Sequence, residues 1–560
     1  MTVLTLNRKE LEKIIGKITP EIEEKITMFG TPVESLTSEE LSLDITANRP
    51  DLLSMGGFSR GILGFLGKKP GLREYHVEKG EKDYKVTIDK SVKKVRPYTT
   101  CAIVKNLKFT DEKVKEIIDI QEKLHGSFGR NRKKMAIGIY PLEEIKLPIT
   151  FLAKKPEEIR FQPLEFPKEI NGRQILSQHP AGREYAHLLK DCEVFPIFED
   201  RDNEILSMPP IINSNKTGKI SESTKDIFIE VSGFNLEYLK KAINIIVTAL
   251  AEMGGKIYSM EINDSKEGKY ISPNLEPEKM PFSIDNVNKT IGINLQEKEV
   301  IKLLEKMGIG YIKEKEQSYA KVPSYRNDIL HEVDLAEEIA IAYGYENLIP
   351  IKSSVSTTGK EDETSVLKRK ITEILTGLEI QEISTYHLST KEKQFKNIGI
   401  KDFKNEMIEV IDSKTEKNIL RNSLLAQSIQ ILSENSDATY PQKIFELGRV
   451  FYNDNESETG IAETENLCIS LCHETANFTQ IKQVLDYLMR MLNLDYEIRE
   501  SENSSFIDGR CGQIVIISEN KNLNNKFIGI LGEIAPFILK NNKIKMPVVS
   551  LELEIDLLKK

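Results

Sequence analysis

The chain has 560 residues, of which 39% are apolar and 29% charged, and its 78 basic and 87 acidic residues give a net charge of −9. This composition is typical of a globular protein of about three or four domains, and it excludes a collagen-like chain and a polybasic nucleic-acid coat. Apolar runs such as residues 245–251 are too short for a membrane span, the N-terminus lacks a signal pattern, and the five scattered cysteines indicate reduced thiols, so we expect a cytoplasmic protein.

The first block, residues 1–90, carries short helical patterns around the stretch DITANRP at residues 44–50. Pro50 suits the first turn of a helix, so we expect a helix to run from there toward Leu66. The charged residues 78–94 are typical of a connection between domains. We therefore expect an N-terminal structural domain that ends near residue 90.

The second block, residues 95–270, mixes strand and helix patterns. Its clearest helix follows Asn235, a good N-cap, and ends at Gly254, with apolar residues at helical spacing between the two. The segment PPIINSNKTGK at residues 209–219 combines a rigid backbone with small hydrogen-bond donors. Such a segment can form the wall of a pocket, although it does not identify a reaction.

The loop HGSFGRNRKK at residues 125–134 concentrates positive charge within the second block. A loop that contacts phosphates and an ordinary solvated loop both fit this pattern. If the loop contacts phosphates, the residues expected to do so are Arg130, Arg132, Lys133 and Lys134.

The third block, residues 275–350, carries a helix at 297–307 and then an acidic helix. Between residues 327 and 351 there are six carboxylates and no Lys or Arg. Asp334, Glu337 and Glu338 fall within an arc of roughly 100° on one helix face, and Asp328 could fold back toward it. A hard cation such as Mg²⁺ would relieve their repulsion. A solvated acidic face fits the same pattern, so both interpretations stay open.

The last block, residues 365–560, follows a polar linker at 353–364 and opens with a helix. Strand patterns then recur at 444–452, 467–471, 513–518, 527–531 and 548–555, with a helical pattern at 481–492 among them. We therefore predict an α+β multidomain fold whose C-terminal part is an antiparallel sheet with flanking helices.

Across essentially its whole length the chain resembles the β-subunit family of phenylalanine–tRNA ligases, in the shorter archaeal and eukaryotic form. The matching segments include TANRPDLLSMGGFSRGILGFLG at 46–67, KLHGSFGRNRKKMAIGIY at 123–140, ILSMPPIINSNKTGKI at 205–220, VPSYRNDILHEVDLAEEIAIAYGYENL at 322–348, LRNSLLAQSIQILSEN at 420–435, IFELGRVF at 444–451, and DGRCGQIVI then IGILGEIAP within 508–536. Seven such segments in the same order make the resemblance specific.

The resemblance implies a heterotetramer of two α and two β chains that attaches phenylalanine to its tRNA with ATP. It implies that Asp328, Asp334, Glu337 and Glu338 match the family's Mg²⁺ ligands in a B5-like domain at residues 275–350. It also implies that residues 95–270 form an editing-type, B3/B4-like domain, and that residues 365–560 are an inactive domain with a degenerate class II synthetase catalytic fold.

The inactivity of the last block can be examined in the sequence. Class II catalysis requires a C-terminal arginine that meets the ATP phosphates. The chain has no arginine after Arg510. We therefore expect the α partner to activate phenylalanine and this chain alone not to do so.

An editing pocket has a physical reason, since a hydrophobic Phe site discriminates poorly against Tyr, which adds only a hydroxyl. A second pocket that hydrogen-bonds the phenolic hydroxyl would reject Phe, because Phe leaves the polar groups of that pocket unpaired. The candidate residues for such a pocket in this chain are Asn213, Ser214, Thr217, Glu230 and Ser232.

Two departures from the family pattern affect this region. The chain reads Ser232-Gly-Phe-Asn235 where relatives usually read Thr-Gly-Thr-Asp, and Tyr140-Pro141 where His-Asp is usual. We therefore predict hydrolysis of Tyr-tRNA that is measurable but reduced.

Two functions of other classes stay open on the sequence. A free-standing Mg²⁺-dependent hydrolase or phosphotransferase built on the acidic helix would lose an activity of the isolated chain on Asp334→Ala. A tRNA-editing factor acting without an α chain would be a stable monomer, whereas a ligase subunit needs a large apolar surface that its partner covers.

Overall fold

The computed structural model describes residues 2–264, 267–352, 354–404, 406–517 and 524–558. The chain divides into two compact units, Met1–Lys352 and Ser353–Lys560. Among the helices of the described ranges, none has both the length and the apolar character that a membrane crossing requires. The finer division into four domains stays a prediction.

The first unit begins with a small antiparallel sheet and the helices that cover it. The strands, in spatial order, are Thr2–Asn7, Glu40–Ile45 and Val33–Leu36, and the helices are Arg8–Ile15, Pro20–Met28 and Met55–Phe65. The prediction that a helix starts at Pro50 is wrong about where the helix begins. Pro50 opens a separate 3₁₀ turn, Pro50–Leu52, and the helix begins at Met55 because the Ser54 side chain caps it by accepting from the Gly57 amide.

The charged stretch at residues 78–94 is not the plain connection that its composition indicates. It contains the strands Val77–Glu78 and Lys85–Ile88, of which the first joins a five-stranded sheet and the second a seven-stranded sheet. Both strands pair in parallel with strands from beyond residue 255, and this long-range pairing has no signature in local composition.

Two larger sheets form the middle of the first unit. Within the described residues, the five-stranded sheet has the order Val77–Glu78, Lys256–Tyr258, Tyr98–Lys105, Ile227–Gly233 and Met135–Pro141. The seven-stranded sheet has the order Ile212–Asn213, Ile205–Met208, Phe195–Glu199, Ile149–Lys154, Lys85–Ile88, Met260–Asp264 and Gly268–Ser272. Buried side chains of both sheets, including Phe228 and Phe151, share one apolar cluster, so the sheets pack against each other.

The opposite face of the five-stranded sheet is covered by the helices Asp111–Gly126 and Leu236–Glu252. The second helix confirms the prediction, since the Asn235 side chain caps it by accepting from the Tyr238 amide. In the strand that carries Glu230, the residues Ile229 and Val231 pack in the cluster that contains these helices. Strand alternation therefore directs Glu230 toward the seven-stranded sheet. The remaining small elements here are Arg160–Phe161, Ile170–Asn171, Gly172–Gln178 and Pro180–Tyr185.

The last part of the first unit is a three-stranded antiparallel sheet with three helices. Its strands, in spatial order, are Glu278–Phe282, Gln317–Val322 and Gly310–Glu314, and its helices are Ile284–Ile291, Glu297–Lys306 and Glu332–Tyr343. The helix predicted at 297–307 is confirmed, and the acidic helix is Glu332–Tyr343.

The second unit is built on a seven-stranded sheet, counted within its described residues. The spatial order is Gln381–Glu382, Gln442–Asn453, Ile461–Cys472, Val548–Glu554, Phe527–Ile534, Phe506–Ile517 and Asp495–Glu500, antiparallel except for the first pair. The accompanying helices are Glu363–Gly377, Lys391–Gln394, Leu425–Glu434, Phe478–Met491 and Pro536–Asn541, and a small sheet contains Leu388–Ser389, Ile419–Leu420 and Ile408–Glu409.

The predicted C-terminal strands and the helix at 481–492 are confirmed with adjusted bounds, and so is the α+β class. Ser518, at the end of the predicted strand 513–518, lies outside the described residues.

Candidate functional site

The basic loop has an unusual backbone. It leaves the helix Asp111–Gly126 and returns into the strand Met135–Pro141. Arg130, Asn131 and Arg132 are all in the left-handed region, with φ of 48°, 53° and 62°. Non-glycine residues adopt this conformation at a cost, so three in succession require support from the surrounding structure. That support includes backbone hydrogen bonds from the amides of Asn131 and Arg132 to the carbonyls of Gly126 and His125.

A cavity of about 660 Å³ lies beside this loop. We call it the basic cavity, because the side chains of Arg96, Arg130, Arg132, Lys133 and Lys134 line it together with Phe234 and Tyr238. Arg130, Lys133 and Lys134 are exposed to solvent. Cationic side chains beside aromatic rings suit a ligand that carries both phosphate and a planar base.

Arg132 differs from the other predicted phosphate contacts, because its guanidinium is already bonded within the chain. Nη2 donates to both carboxylate oxygens of Glu122, at 2.9 and 3.1 Å, and Nη1 donates to the Ile211 carbonyl at 2.8 Å. The guanidinium also lies 4.3 Å from the ring centroid of Tyr185. Arg132 therefore ties the basic loop to the segment at 209–211, which the sequence marked as a pocket wall.

Glu122, which accepts the two hydrogen bonds from Arg132 Nη2, lies near the end of the helix Asp111–Gly126. Burial raises the pKa of its carboxyl, but the hydrogen bond with His125 and the charge of Arg132 outweigh burial and lower that pKa to about 2. Because the carboxylate stays charged, its contact with Arg132 persists over the physiological pH range.

Two of the five predicted editing residues, Asn213 and Glu230, lie close together between the two sheets. The hydroxyl of Tyr140 lies 2.7 Å from Ser207 Oγ, 3.4 Å from Glu230 Oε1 and 3.5 Å from Asn213 Oδ1. We call Tyr140, Ser207, Asn213 and Glu230 the inter-sheet polar cluster.

Ser232, two residues from Glu230 on the same face, meets Arg96 instead. The Arg96 guanidinium donates to Ser232 Oγ at 3.0 Å and to the Ser232 carbonyl at 2.6 Å. Since Arg96 also lines the basic cavity, its side chain connects that cavity to the strand that carries Glu230. Neither Arg96 nor Ser207 was predicted from the sequence to belong to a site, because no local pattern marks either residue.

Ser214 and Thr217, the other two candidates, are buried in the turn that follows the 209–213 segment. Ser214 Oγ accepts from the Lys216 amide at 3.3 Å, and Thr217 Oγ1 donates to the Leu206 carbonyl at 3.5 Å. In these contacts both hydroxyls hold the turn in place, and neither meets the inter-sheet polar cluster.

Glu230 is the charged member of the cluster and is only 2% exposed. Burial raises the pKa of Glu230 above its ordinary range, and the nearby Arg96 guanidinium offsets part of this effect. Its second oxygen, Oε2, is buried and accepts no hydrogen bond from the described residues. A buried polar atom with unused hydrogen-bonding capacity is a place where a ligand could bind.

Two of the four predicted Mg²⁺ ligands, Asp328 and Glu338, contact Arg326. This arginine lies one residue before the stretch 327–351, in which the sequence has no Lys or Arg. Arg326 is 2% exposed, and its Nε and Nη2 donate to the two oxygens of Asp328 at 2.8 and 2.7 Å. The same guanidinium contacts Glu338, with Nη1 at 3.0 Å from Oε2 and Nη2 at 2.8 Å from Oε1. Although burial works against its charged form, the Arg326 guanidinium lowers the pKa of Asp328.

A second arginine strengthens this arrangement. Arg49 makes a two-bond contact with Asp51, at 2.9 and 3.0 Å, and its Nε lies 3.9 Å from Asp328 Oδ2. We call Arg49, Asp51, Arg326, Asp328 and Glu338 the arginine–carboxylate cluster. The inference that these carboxylates lack a basic partner is therefore wrong for Asp328 and Glu338.

The exposed acidic face predicted for the helix is also wrong in part. Glu338 is buried beside Arg326, whereas Glu337 is exposed. Asp334 uses Oδ2 to accept from the amides of Leu330 and His331 at 2.7 Å each, and so caps the start of the helix.

These residues do not fit a Mg²⁺ site as they stand. Mg²⁺ needs carboxylate oxygens that can enter its octahedral shell, but both oxygens of Asp328 and of Glu338 are bonded to Arg326. Among the residues that the structure describes, no group of three or more His, Cys, Asp or Glu side chains is arranged to hold a metal ion.

A second cavity of about 500 Å³, the acidic-helix cavity, brings the two predicted sites together. Asp328, Asp334 and Glu337 line it together with Arg130 and Lys134. Arg130, Lys134 and Tyr238 also line the basic cavity. Residues almost two hundred positions apart thus meet at one surface, which no sequence pattern indicated.

Comparisons with known proteins agree along the whole chain. Residues 350–555 match the family described as the phenylalanyl-tRNA synthetase beta chain CLM domain, and residues 280–345 match the tRNA synthetase B5 domain. The phenylalanine–tRNA ligase β subunits of Pyrococcus abyssi and Pyrococcus horikoshii are 37% and 36% identical to it, and each alignment covers 99% of both chains.

A solved structure agrees with the first unit. The crystal structure of an N-terminal fragment of the phenylalanyl-tRNA synthetase β subunit from Pyrococcus horikoshii is 36% identical in sequence and superposes with a TM-score of 0.58. The match covers 61% of this chain and 99% of the fragment.

Proposed function

This chain belongs to the phenylalanine–tRNA ligase β-subunit family, and from that membership we propose that it works in the cytoplasm with an α subunit, as an α2β2 heterotetramer, to attach phenylalanine to its tRNA with ATP. The observation that carries the proposal is the identity of 37% over 99% of both chains with the Pyrococcus abyssi β subunit. A match of that extent includes both units, so it is not the likeness of one shared domain.

The second unit acts in this proposal as an inactive relative of the class II catalytic fold that packs against the α subunit. Its antiparallel sheet with flanking helices suits that role. The strands Phe527–Ile534 and Val548–Glu554 carry no arginine, which is the residue type that a class II site uses to meet ATP phosphates. The α subunit then activates phenylalanine.

The first unit contacts the tRNA at the basic cavity. Arg130, Lys133 and Lys134 are exposed there and can meet phosphates, while Arg132 holds the loop in position. Phe234 and Tyr238 offer ring faces for a base. Because these side chains line a cavity together with two aromatic rings, phosphate contact is favoured over an ordinary solvated loop.

The inter-sheet polar cluster, reached past Arg96, is the proposed editing pocket. Its substrate is tyrosine joined to tRNA through an ester. Water adds to the ester carbonyl, the bond between the carbonyl carbon and the ribose oxygen breaks, and a proton passes to that oxygen, which releases tyrosine and uncharged tRNA. Glu230 and Asn213 serve to hydrogen-bond the phenolic hydroxyl, which favours tyrosine over phenylalanine. We expect the hydrolysis to be measurable but reduced.

Mg²⁺ at the acidic helix has no part in this proposal, because Arg326 already bonds both oxygens of Asp328 and of Glu338. For the same reason the acidic helix offers no support for a free-standing Mg²⁺-dependent hydrolase.

Native mass spectrometry of the tagged chain isolated from its own cells tests the proposal, with phenylalanine charging assayed on the same sample. We expect a heterotetramer that charges tRNA with phenylalanine, and a lone chain that does not. A monomer without an α chain would contradict the proposal and favour a free-standing editing factor. Hydrolysis of Tyr-tRNA by the whole complex at no more than the uncatalysed rate would contradict the editing part alone.

A further inference from the structure

Tyr140 places a phenol inside the proposed editing pocket. Its side chain is fully buried, and its ring packs against Phe228 with the ring centroids 5.7 Å apart. The hydroxyl extends from the five-stranded sheet to Ser207 and Asn213, which belong to strands of the seven-stranded sheet. One phenol therefore meets polar groups from both sheets.

The backbone around this phenol is shaped for a close approach. Gly138 lies directly across from Glu230 in the strand register. A Cβ atom at Gly138 would stand 2.2 Å from the Tyr140 hydroxyl oxygen and 2.6 Å from Glu230 Oε1. Contacts that short are forbidden, so the glycine leaves the space in which the hydroxyl and the carboxylate meet.

The polar groups around the Tyr140 hydroxyl are those that a recognition site for tyrosine requires. A buried carboxylate, an amide oxygen and a serine hydroxyl surround one phenolic oxygen, and a phenylalanine ring would leave all three without that partner. In an apolar core such groups are costly unless a partner satisfies them. Here that partner is the hydroxyl of Tyr140, a residue of the chain itself.

We infer that Tyr140 occupies, with its own side chain, the position that the tyrosyl side chain of a mischarged tRNA takes in the editing pocket, and so restricts hydrolysis of Tyr-tRNA. The inference depends on the proposed editing function. Two phenols cannot share one set of acceptors in a close-packed interior, so a tyrosyl group must displace Tyr140 before it binds. Tyr140 is thus a specificity-determining residue.

The cavity that Tyr140 fills is tested with the full-length chain and a small probe. The Tyr140→Ala variant removes the phenol beyond Cβ, and p-cresol supplies the same ring and hydroxyl. We expect p-cresol to raise the melting temperature of the alanine variant in a saturable way, with no such shift in the wild type or in Tyr140→Phe, where a ring still fills the space.

Toluene distinguishes a phenol site from a merely apolar hole. It has the ring and methyl group of p-cresol but lacks the hydroxyl. We expect p-cresol to bind the alanine variant about tenfold more tightly than toluene, because only p-cresol meets Ser207, Asn213 and Glu230. Equal binding of the two probes, or no binding by a folded alanine variant, overturns the inference.

Hydrolysis of Tyr-tRNA by the whole complex gives the second measurement. We expect Tyr140→Ala to raise the rate at least about tenfold and Tyr140→Phe to leave it low. If the alanine variant does not fold with or without p-cresol, Tyr140→Leu, which keeps more apolar packing, replaces it in this assay, and an unchanged rate then overturns the inference.

The two measurements separate failure of the inference from failure of the proposed function. If p-cresol binds as expected but no variant hydrolyses Tyr-tRNA, Tyr140 does fill a phenol site and the editing proposal is wrong. If the wild type hydrolyses Tyr-tRNA rapidly and the substitutions leave the rate unchanged, the editing proposal stands and the inference is wrong.

Discussion

Arg326 and Glu338 form a buried ion pair in which two guanidinium nitrogens meet two carboxylate oxygens, at 3.0 and 2.8 Å. Arg326 precedes the acidic helix and Glu338 lies within it, so the pair joins the helix to the segment before it. The same guanidinium also bonds Asp328, so one arginine contacts two carboxylates.

Removal of Arg326 should therefore be strongly destabilising. Arg326→Met leaves two buried carboxylates without their partner, and we expect a loss of about 3–5 kcal/mol in the free energy of unfolding of the first unit. Urea denaturation of the full chain measures it. Arg173→Met makes the same change in an exposed pair with Glu157 and should cost less than about 1 kcal/mol. Equal losses in the two variants would argue against a buried network.

The same cluster makes a prediction about Mg²⁺. Because Arg326 occupies the oxygens of Asp328 and Glu338, millimolar Mg²⁺ should not raise the melting temperature of the wild-type chain in a saturable way. Thermal denaturation with Mg²⁺ or with EDTA measures this. A saturable Mg²⁺ shift that disappears in Asp334→Asn would show instead that these carboxylates bind the ion.

The basic cavity should contribute to tRNA affinity through phosphate contacts. Lys133→Ala and Lys134→Ala should each weaken binding of tRNA to the complex and reduce the slope of log affinity against log salt by about one. Filter binding over a series of salt concentrations gives both values. Lys9→Ala removes an exposed lysine that pairs with Glu39 and lines neither cavity, so it should leave the slope unchanged. Identical slopes in all three variants would exclude the cavity as the contact.

The contact between Glu122 and Arg132 predicts a pH dependence of stability. The folded pKa of Glu122 is lowered from 4.5 to about 2 by His125 and Arg132 against the effect of burial. A lowered carboxyl pKa stabilises the folded state above the unfolded pKa, so the contribution is complete above about pH 4.5 and is lost as the pH falls toward 2.

Because the Glu122 side chain is half exposed, we expect the contribution to be about 1 kcal/mol. Denaturation midpoints between pH 7 and pH 3 should converge for the wild type and Glu122→Gln as the pH falls. Glu39→Gln, in an exposed pair with Lys9, should follow the wild type throughout. A constant difference between the wild type and Glu122→Gln across this range would contradict the prediction.

Much of the fold follows from local patterns. The helix after Asn235 could be predicted because its cap and its apolar spacing are both written within about twenty residues. Five strands of the second unit's large sheet could be predicted because their apolar residues alternate or run continuously. The strands Val77–Glu78 and Lys85–Ile88 could not, since they are short, charged and stabilised by partners beyond residue 255.

The candidate site, like the fold, could be predicted only where neighbouring residues carry the signal. The sequence by itself determined that basic residues gather at 130–134, because that fact depends only on near neighbours. Only the tertiary structure decided that Tyr140 lies beside Glu230, that Arg132 is bonded to Glu122, and that Arg326 is bonded to Glu338 of the acidic helix. Charges and hydroxyls act over a few ångströms in space, and the chain brings distant residues within that range only when it folds.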